Sequence, residues 1–301
     1  MLAICVVYLA HEVEGLALLD FSIEQIRRVT KGPYRIHGCC PGNDDQIMSR
    51  LANHGVVVHE APARHPHISQ EHSQLLNVLV DQAKDEGCTH LATFDMDSWP
   101  VLPDWNECYA DLVNSAAPVA SIVRTELGDN FPFAAFTFFQ ADFWRSGVSS
   151  FSALQRGPFG DHTAKLSSRP TETGSGILAQ LHDEARRFFR LERSNARNIH
   201  PVIAGLYDNA VFHLGAGSRT PRFITDDLQY GLDGSPVLRA FADRINVATK
   251  QFAVAQILER HDDFVRDLTG GAGPLCPIET NPRQLPPGLS LTPLAERSRW
   301  N

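Results

Sequence analysis

The chain has 301 residues, 43% of them apolar, and carries 27 basic against 35 acidic side chains for a net charge of -8. That length suits one large domain or two small ones with a real core, and the acidic balance argues against a nucleic-acid backbone as the main partner. The six cysteines (Cys5, Cys39, Cys40, Cys88, Cys108 and Cys276) include no Cys-x-x-Cys pair, so neither a disulfide framework nor a zinc site is read, and a reducing cytoplasm is the expected compartment.

Residues 2–8, LAICVVY, are a compact β-branched run and read as a first strand. The apolar start is too brief for a signal peptide and lacks its basic flank, and no later apolar run reaches membrane-spanning length. Residues 13–29 follow as a helix, with Leu16, Leu19, Ile23 and Ile26 on one stripe. YRIHGCC (34–40) is a second strand, and DDQIMSRLANHG (44–55) a helix that Gly55 ends. VVVHE (56–60) is a third strand. Residues 69–87 predict a helix capped by Ser69, cored by Leu75, Leu76, Leu79 and Ala83 and stopped by Gly87. THLATFD (89–95) is the fourth strand. Four βα units in a row predict an α/β fold with a mainly parallel sheet covered by helices on both faces.

The pattern then changes. PVASIV (118–123) and FAAFTFFQ (133–140) are strands without a long helix between them. Residues 173–189 predict a helix with Ile177, Leu178, Leu181 and Ala185 inward, and NAVFHLG (209–215) is a strand leading into the turn AGSRT. Residues 235–268 are helical, and the proline-rich stretch 273–293 reads as an extended surface tail.

In open α/β sheets ligands bind beyond the carboxyl ends of the strands. Those positions hold Tyr8 after strand 1, residues 37–40 after strand 2, Glu60 after strand 3, and Asp95 and Asp97 after strand 4. A planar aromatic group with paired carboxylates suits a nucleotide diphosphate and a divalent metal, the carboxylates binding the metal and the metal neutralising the phosphates. Asp-x-Asp alone is a weak signal, and a strand-to-helix turn in which one aspartate caps the next helix is the bland alternative. Most of the histidines at 54, 59, 65, 67 and 72 read as solvated, with His72 placed nearest a nucleotide. Trp99 and Trp105 read as packing residues in preference to sugar-stacking ones.

Three stretches resemble GT-A glycosyltransferases, especially the family-2-like enzymes. They are HSQLLNVLVDQAKDEGCTHLATFDMDSWPVLPDW, with its helix, strand, Asp-x-Asp and following Pro-x-x-x-x-Trp; RPTETGSGILAQL, with an acidic residue at the head of a helix; and YDNAVFHLGAGSR, a late strand ending in a histidine. The resemblance spans about residues 1–232. It implies a nucleotide-sugar-binding βα region over 1–117, an acceptor and catalytic region of the same domain over 118–232, and C-terminal helices with a Pro-rich tail over 233–301. It also implies a divalent metal, Mn2+ or Mg2+, held by Asp95, Asp97 and His213, a nucleotide-diphosphate sugar as donor, and an unknown hydroxyl acceptor. Tyr8, Glu60, His72, Asp95 and Arg219 would line the donor, and Glu172 would take the acceptor proton. Thr173 follows Glu172 where family 2 commonly has a Glu-Asp pair. A carboxylate at a helix start is also held in its anionic form by the helix dipole, which weakens it as a base unless burial offsets this.

Two other readings stay open. THLATFDMDSWP also resembles the first motif of haloacid-dehalogenase-like phosphatases, with Asp95 as nucleophile, and RFITDD (222–227) resembles their later acidic pair. However, three βα units precede Asp95, and the lone lysine between the motifs, Lys165, is far from Asp226 in sequence. A non-catalytic sugar-nucleotide-binding protein is the non-enzyme alternative. A nucleotidyltransferase would need a Gly-rich basic loop after strand 1, which YLAHEVEGLALL does not supply.

Overall fold

The computed structural model describes residues 1–9, 13–65, 68–127, 129–152, 173–215 and 236–284. Strand β1 (Leu2–Val7) is buried along its length. Leu2, Ile4 and Val6 join the core on one side of the sheet, and Ala3, Cys5 and Val7 join the core on the other. A strand that is apolar on both faces belongs inside a covered sheet. β1 accordingly lies between β2 (Tyr34–Cys39) and β4 (His90–Asp95), parallel to both.

Helix α1 (Val13–Val29) supplies the first core with Leu18, Leu19, Ile23 and Ile26. Helix α3 (Ile68–Asp85) supplies the second with Leu75, Leu76, Leu79, Val80 and Ala83. Between them α2 (Asp45–Asn53), capped by the Asp44 carboxylate on the Ile47 N–H at 3.0 Å, leads to the short β3 (Val57–Val58), parallel to β2. The chain leaves α3 at Gly87, whose φ of 78° favours glycine. Because α3 already begins at Ile68, Ser69 sits in its first turn and does not cap it. Its carbonyl instead accepts the Thr173 hydroxyl at 3.1 Å.

Beyond β4 come two elements that local pattern did not predict, β5 (Ser98–Pro100) and α4 (Trp105–Leu112). β6 (Val119–Ile122) and β7 (Phe133–Gln140) follow as expected, with β7 antiparallel to both β4 and β6. Helix α5 (Ser175–Asp183) is shorter than the expected 173–189. Ala185 turns into the left-handed region (φ 54°), and Phe188–Leu191 becomes β8, parallel to β6. Pairing with β6 while burying Phe188 and Leu191 completely overrides the helical pattern.

β9 (Gly205–Tyr207) and β10 (Val211–His213) join β5 in a separate antiparallel sheet. Helix α6 (Pro236–Thr269) bends at Arg260, and its second half places Ile257, Phe264 and Leu268 in the core. Part of the expected surface tail is instead a strand: β11 (Ile278–Thr280) pairs with β8 and gives the main sheet the order β11-β8-β6-β7-β4-β1-β2-β3. The architecture is α/β as predicted, parallel from β3 to β4 and mixed beyond.

Trp99 and Trp105 are fully buried packing residues. Trp99 stacks on Phe212 with centroids 5.0 Å apart and donates to His261 Nε2 at 3.0 Å, and Trp105 donates to the Thr30 hydroxyl at 2.9 Å. All six cysteines are free thiols. No helix among the described residues is long and apolar enough to cross a membrane.

The turn from β9 to β10 holds Asp208 and Asn209 at φ 48° and 53°. Asp208 is 5% exposed, and burial pushes its carboxyl up to about 6. An unfolded aspartate titrates near ~3.9, so the folded chain binds the extra proton and stability falls as pH rises from about 4 to 6. Asp208→Asn tolerates the same backbone and removes the charge. Urea unfolding should show it more stable than wild type by about 1–2 kcal/mol at pH 7.5, with the gain gone at pH 3.5.

Candidate metal and ligand site

The strand β4 ends on Asp95, whose register partner on β1 is Val7. The next two residues are the turn to β5: Met96 goes into the core, and the turn brings a carboxylate oxygen of Asp97 near one of Asp95. Ser98 ties the turn. Its hydroxyl accepts the Asp95 N–H at 3.1 Å and reaches the carbonyls of Asp95 and Ala135. β5 then begins, pairing with β10 so that Ser98 faces His213, and the Leu214 N–H donates to the Asp97 carbonyl at 2.8 Å.

This lacing brings His213, far away in sequence, beside the aspartates. One ligand atom each from Asp95, Asp97 and His213 lies within 4.8 Å of the others, and His213 Nε2 stands 3.8 Å from Asp97 Oδ1. The side chains of Asp97 and His213 are 5% and 8% exposed and that of Asp95 is 20% exposed. Like charges held this close and this dry repel unless a positive group compensates. His72 on α3 stands beside them, with Nε2 3.1 Å from Asp95 Oδ1. The His213 ring packs on Phe133 at the start of β7, with centroids 5.6 Å apart, and the Arg124 guanidinium covers the Phe133 ring at 3.7 Å.

Of the residues expected from sequence, Asp95, Asp97, His213 and His72 are thus brought together. Tyr8 follows β1, next to β4 in the sheet. It is fully buried and its N–H donates to the Cys39 carbonyl at 2.9 Å. Its ring lies so close to Gly38 that a Cβ there would come within 2.9 Å of it, and its hydroxyl is buried without a hydrogen-bond partner among the described residues. Burial pushes that phenol far up. Glu60 is exposed, two residues past β3. Glu172 and Arg219 lie outside the described residues, as does His67. His54 and His59 depart from the solvated expectation. His54 binds Asp20 at 2.8 Å, and His59 stacks on the buried His37 with Nε2 3.0 Å from its Nδ1. Burial pushes His37 down to about 4. Ser98, Phe133, Arg124 and the pairing of His72 with Asp95 carry no signal in the sequence, because each is made by contacts between distant elements.

No family model matches the sequence, and no curated protein matches it at a significant level. Among solved structures, the chain is similar to a Desulfovibrio desulfuricans G20 protein described as a nucleotide-diphospho-sugar transferase, at 10% identity over 83% of this chain and 97% of that one, with a TM-score of 0.44. It is similar also to the mannosyltransferase PcManGT from Pyrobaculum calidifontis in complex with GDP-Man and Mn2+, at 9% identity over 90% and 83% of the two chains with a TM-score of 0.41. A third is TarS 1-349 of S. aureus, at 10% identity over 85% and 72% with a TM-score of 0.39. Similarity this low leaves the chemistry to be read from the residues themselves.

His72 supports a carboxylate that can serve as a metal ligand, the position of an outer-shell partner. His72→Ala should weaken Mn2+ binding by about 10–100-fold in a calorimetric titration, with little change in apo melting temperature. Unchanged Mn2+ affinity would separate His72 from the site.

Proposed function

We propose that the chain is a glycosyltransferase of the GT-A kind, moving a sugar from a nucleotide-diphosphate sugar to a hydroxyl acceptor with a divalent cation held by Asp95, Asp97 and His213. The observation that supports this is the convergence of those three ligand atoms within 4.8 Å at the carboxyl end of a central strand. The donor set fits a cation. Two carboxylates and an imidazole give three ligands, leave coordination positions for diphosphate oxygens, and have their mutual repulsion offset by its charge. The imidazole shifts preference from Mg2+ toward Mn2+. When bound, such a cation neutralises charge on a leaving diphosphate, a contribution of several kcal/mol.

The chain's own residues divide the remaining work. Asp97 and His213, both nearly buried and joined through the pairing of β5 with β10, are the fixed ligands. His72 orients Asp95. Tyr8 and Glu60 at the ends of β1 and β3 are assigned to the nucleotide side, and Arg219 to a phosphate. Glu172 is assigned the acceptor proton, which must leave as the new bond forms. Phe133 and its neighbours exclude water beside His213.

A thermal-shift panel of UDP, GDP, dTDP and CDP with and without Mn2+ tests the donor half. One base should raise the melting temperature, on the order of 5 °C at saturating concentration, and only with metal. Asp97→Asn should abolish that shift and leave the apo melting temperature nearly unchanged. Binding without release of nucleoside diphosphate would favour a binding protein, and hydrolysis of simple phosphoesters would favour the phosphatase reading.

For the transfer half, Glu172→Gln keeps the shape and removes the base. Turnover should fall about a hundredfold or more, with donor affinity within a few-fold of wild type. Loss of donor binding with an unchanged rate would place Glu172 on the nucleotide side.

A further inference from the structure

Past the ends of β6 and β8 lies a second buried carboxylate that the metal site does not use. β7 runs antiparallel to β4 and to β6, and β8 runs parallel to β6, so β4, β6 and β8 all point the same way. The residues just after β6 and β8, among them Glu126 and Arg193, therefore stand on the same edge of the sheet as Asp95. The small sheet narrows the distance further. Gly205 is the register partner of His213. A Cβ on Gly205 would come within 2.9 Å of Tyr207 Cε2 and 3.1 Å of its hydroxyl, so the Tyr207 ring lies back along the strand, over the residue that faces His213. Directly opposed side chains in antiparallel strands start about 4.5–5.5 Å apart.

From there the Tyr207 hydroxyl donates to Glu126 Oε1 at 2.6 Å. Arg193 stands 3.7 Å from the same oxygen and is itself anchored by the carbonyls of Pro201, His200 and Ile203 at 2.6, 2.9 and 3.2 Å. The Glu126 side chain is 6% exposed. Its other oxygen, Oε2, is buried and has no hydrogen-bond partner among the described residues. A buried polar group left in that state is costly, more so if it is charged, and rigid neighbours that hold one oxygen in place leave the second ready for a donor.

We propose that Glu126 is an acceptor-side binding residue, its Oε2 taking a hydrogen bond from a saccharide hydroxyl while Tyr207 and Arg193 hold Oε1. This rests on the glycosyl-transfer reading, which requires a hydroxyl-bearing acceptor beside the metal ligands. A saccharide hydroxyl supplies the donor that Oε2 lacks. Phe133, between His213 and Arg124, supplies an apolar wall along the same edge. A single buried water is the competing partner for Oε2, and it predicts no dependence of saccharide binding on Glu126.

The test uses methyl α-glucoside, methyl α-galactoside and methyl α-mannoside as probes in saturation-transfer NMR on the metal-free protein. Wild type should show transfer to at least one of them. Glu126→Ala should weaken that glycoside about tenfold or more, and Tyr207→Phe, which frees Oε1 from its hydroxyl donor, by a few-fold. Glu126→Gln preserves the shape and should weaken it in the same direction, which covers the case that the alanine variant does not fold. Metal-dependent stabilisation by the nucleoside diphosphate should be unchanged in all three. No transfer to any glycoside from wild type, or undiminished transfer from Glu126→Gln and Glu126→Ala, overturns the proposal. Loss of the nucleotide and metal shift in wild type would instead sink the transfer reading, and it is read in a separate measurement.

Discussion

Two aspartates one residue apart, at the end of a strand that runs through the middle of the protein, are the constraint around which this structure is arranged. Water would normally separate and solvate such a pair. Here Asp97 is almost fully buried and Asp95 mostly so, with an imidazole on each side. The turn that holds them has three anchors. Met96 is driven into the core between them, Ser98 closes the backbone, and β10 grips the Asp97 carbonyl. Apolar burial and backbone pairing thus keep together groups whose charges oppose it, and a cation bound between them would offset that opposition.

The reversal at β7 has a second consequence. In the parallel half of the sheet, the carboxyl ends of β1, β2, β3 and β4 form one edge, the usual place for a ligand in an α/β sheet. Because β7 is antiparallel, β6 and β8 recover the direction of β4, and the same edge continues across the mixed half. In the transfer reading proposed above, a donor and an acceptor would meet along that edge. The small sheet of β5, β9 and β10 stands beside that edge. Trp99, stacked on Phe212 and bonded to His261, ties it to the bent end of α6. The segment that carries His213 is therefore held by a core contact, a ladder and a helix, as a side chain must be if it is to keep its position when a ligand binds.

Periodicity was informative where each element buries its own apolar face locally. Residues 13–29 form a helix with the bounds that the stripe of Leu19, Ile23 and Ile26 implies, and β1, β2, β4, β6 and β7 fall on their apolar runs. It failed where a neighbour decides. RRFF continues a helical pattern after Asp183, yet the open side of β6 offered Phe188 and Leu191 a ladder and complete burial, and a strand formed. SWP is three residues long and becomes β5 only because β10 lies against it.

The same division holds at the site. An Asp-x-Asp at the end of an apolar run is visible in one dimension, and a histidine ending a late strand can be named as a candidate. Their approach to within 4.8 Å is a property of the pairing between β5 and β10, across more than a hundred residues of chain. The approach of His72 to Asp95, and the reach of Tyr207 over Gly205 to Glu126, depend on which helix covers which strand and on one missing Cβ. Residue order determined that two carboxylates stand one residue apart where a buried strand ends, because that spacing is local. Only the tertiary structure decided which imidazoles and hydroxyls meet them, because those contacts join elements whose sequences carry no record of one another.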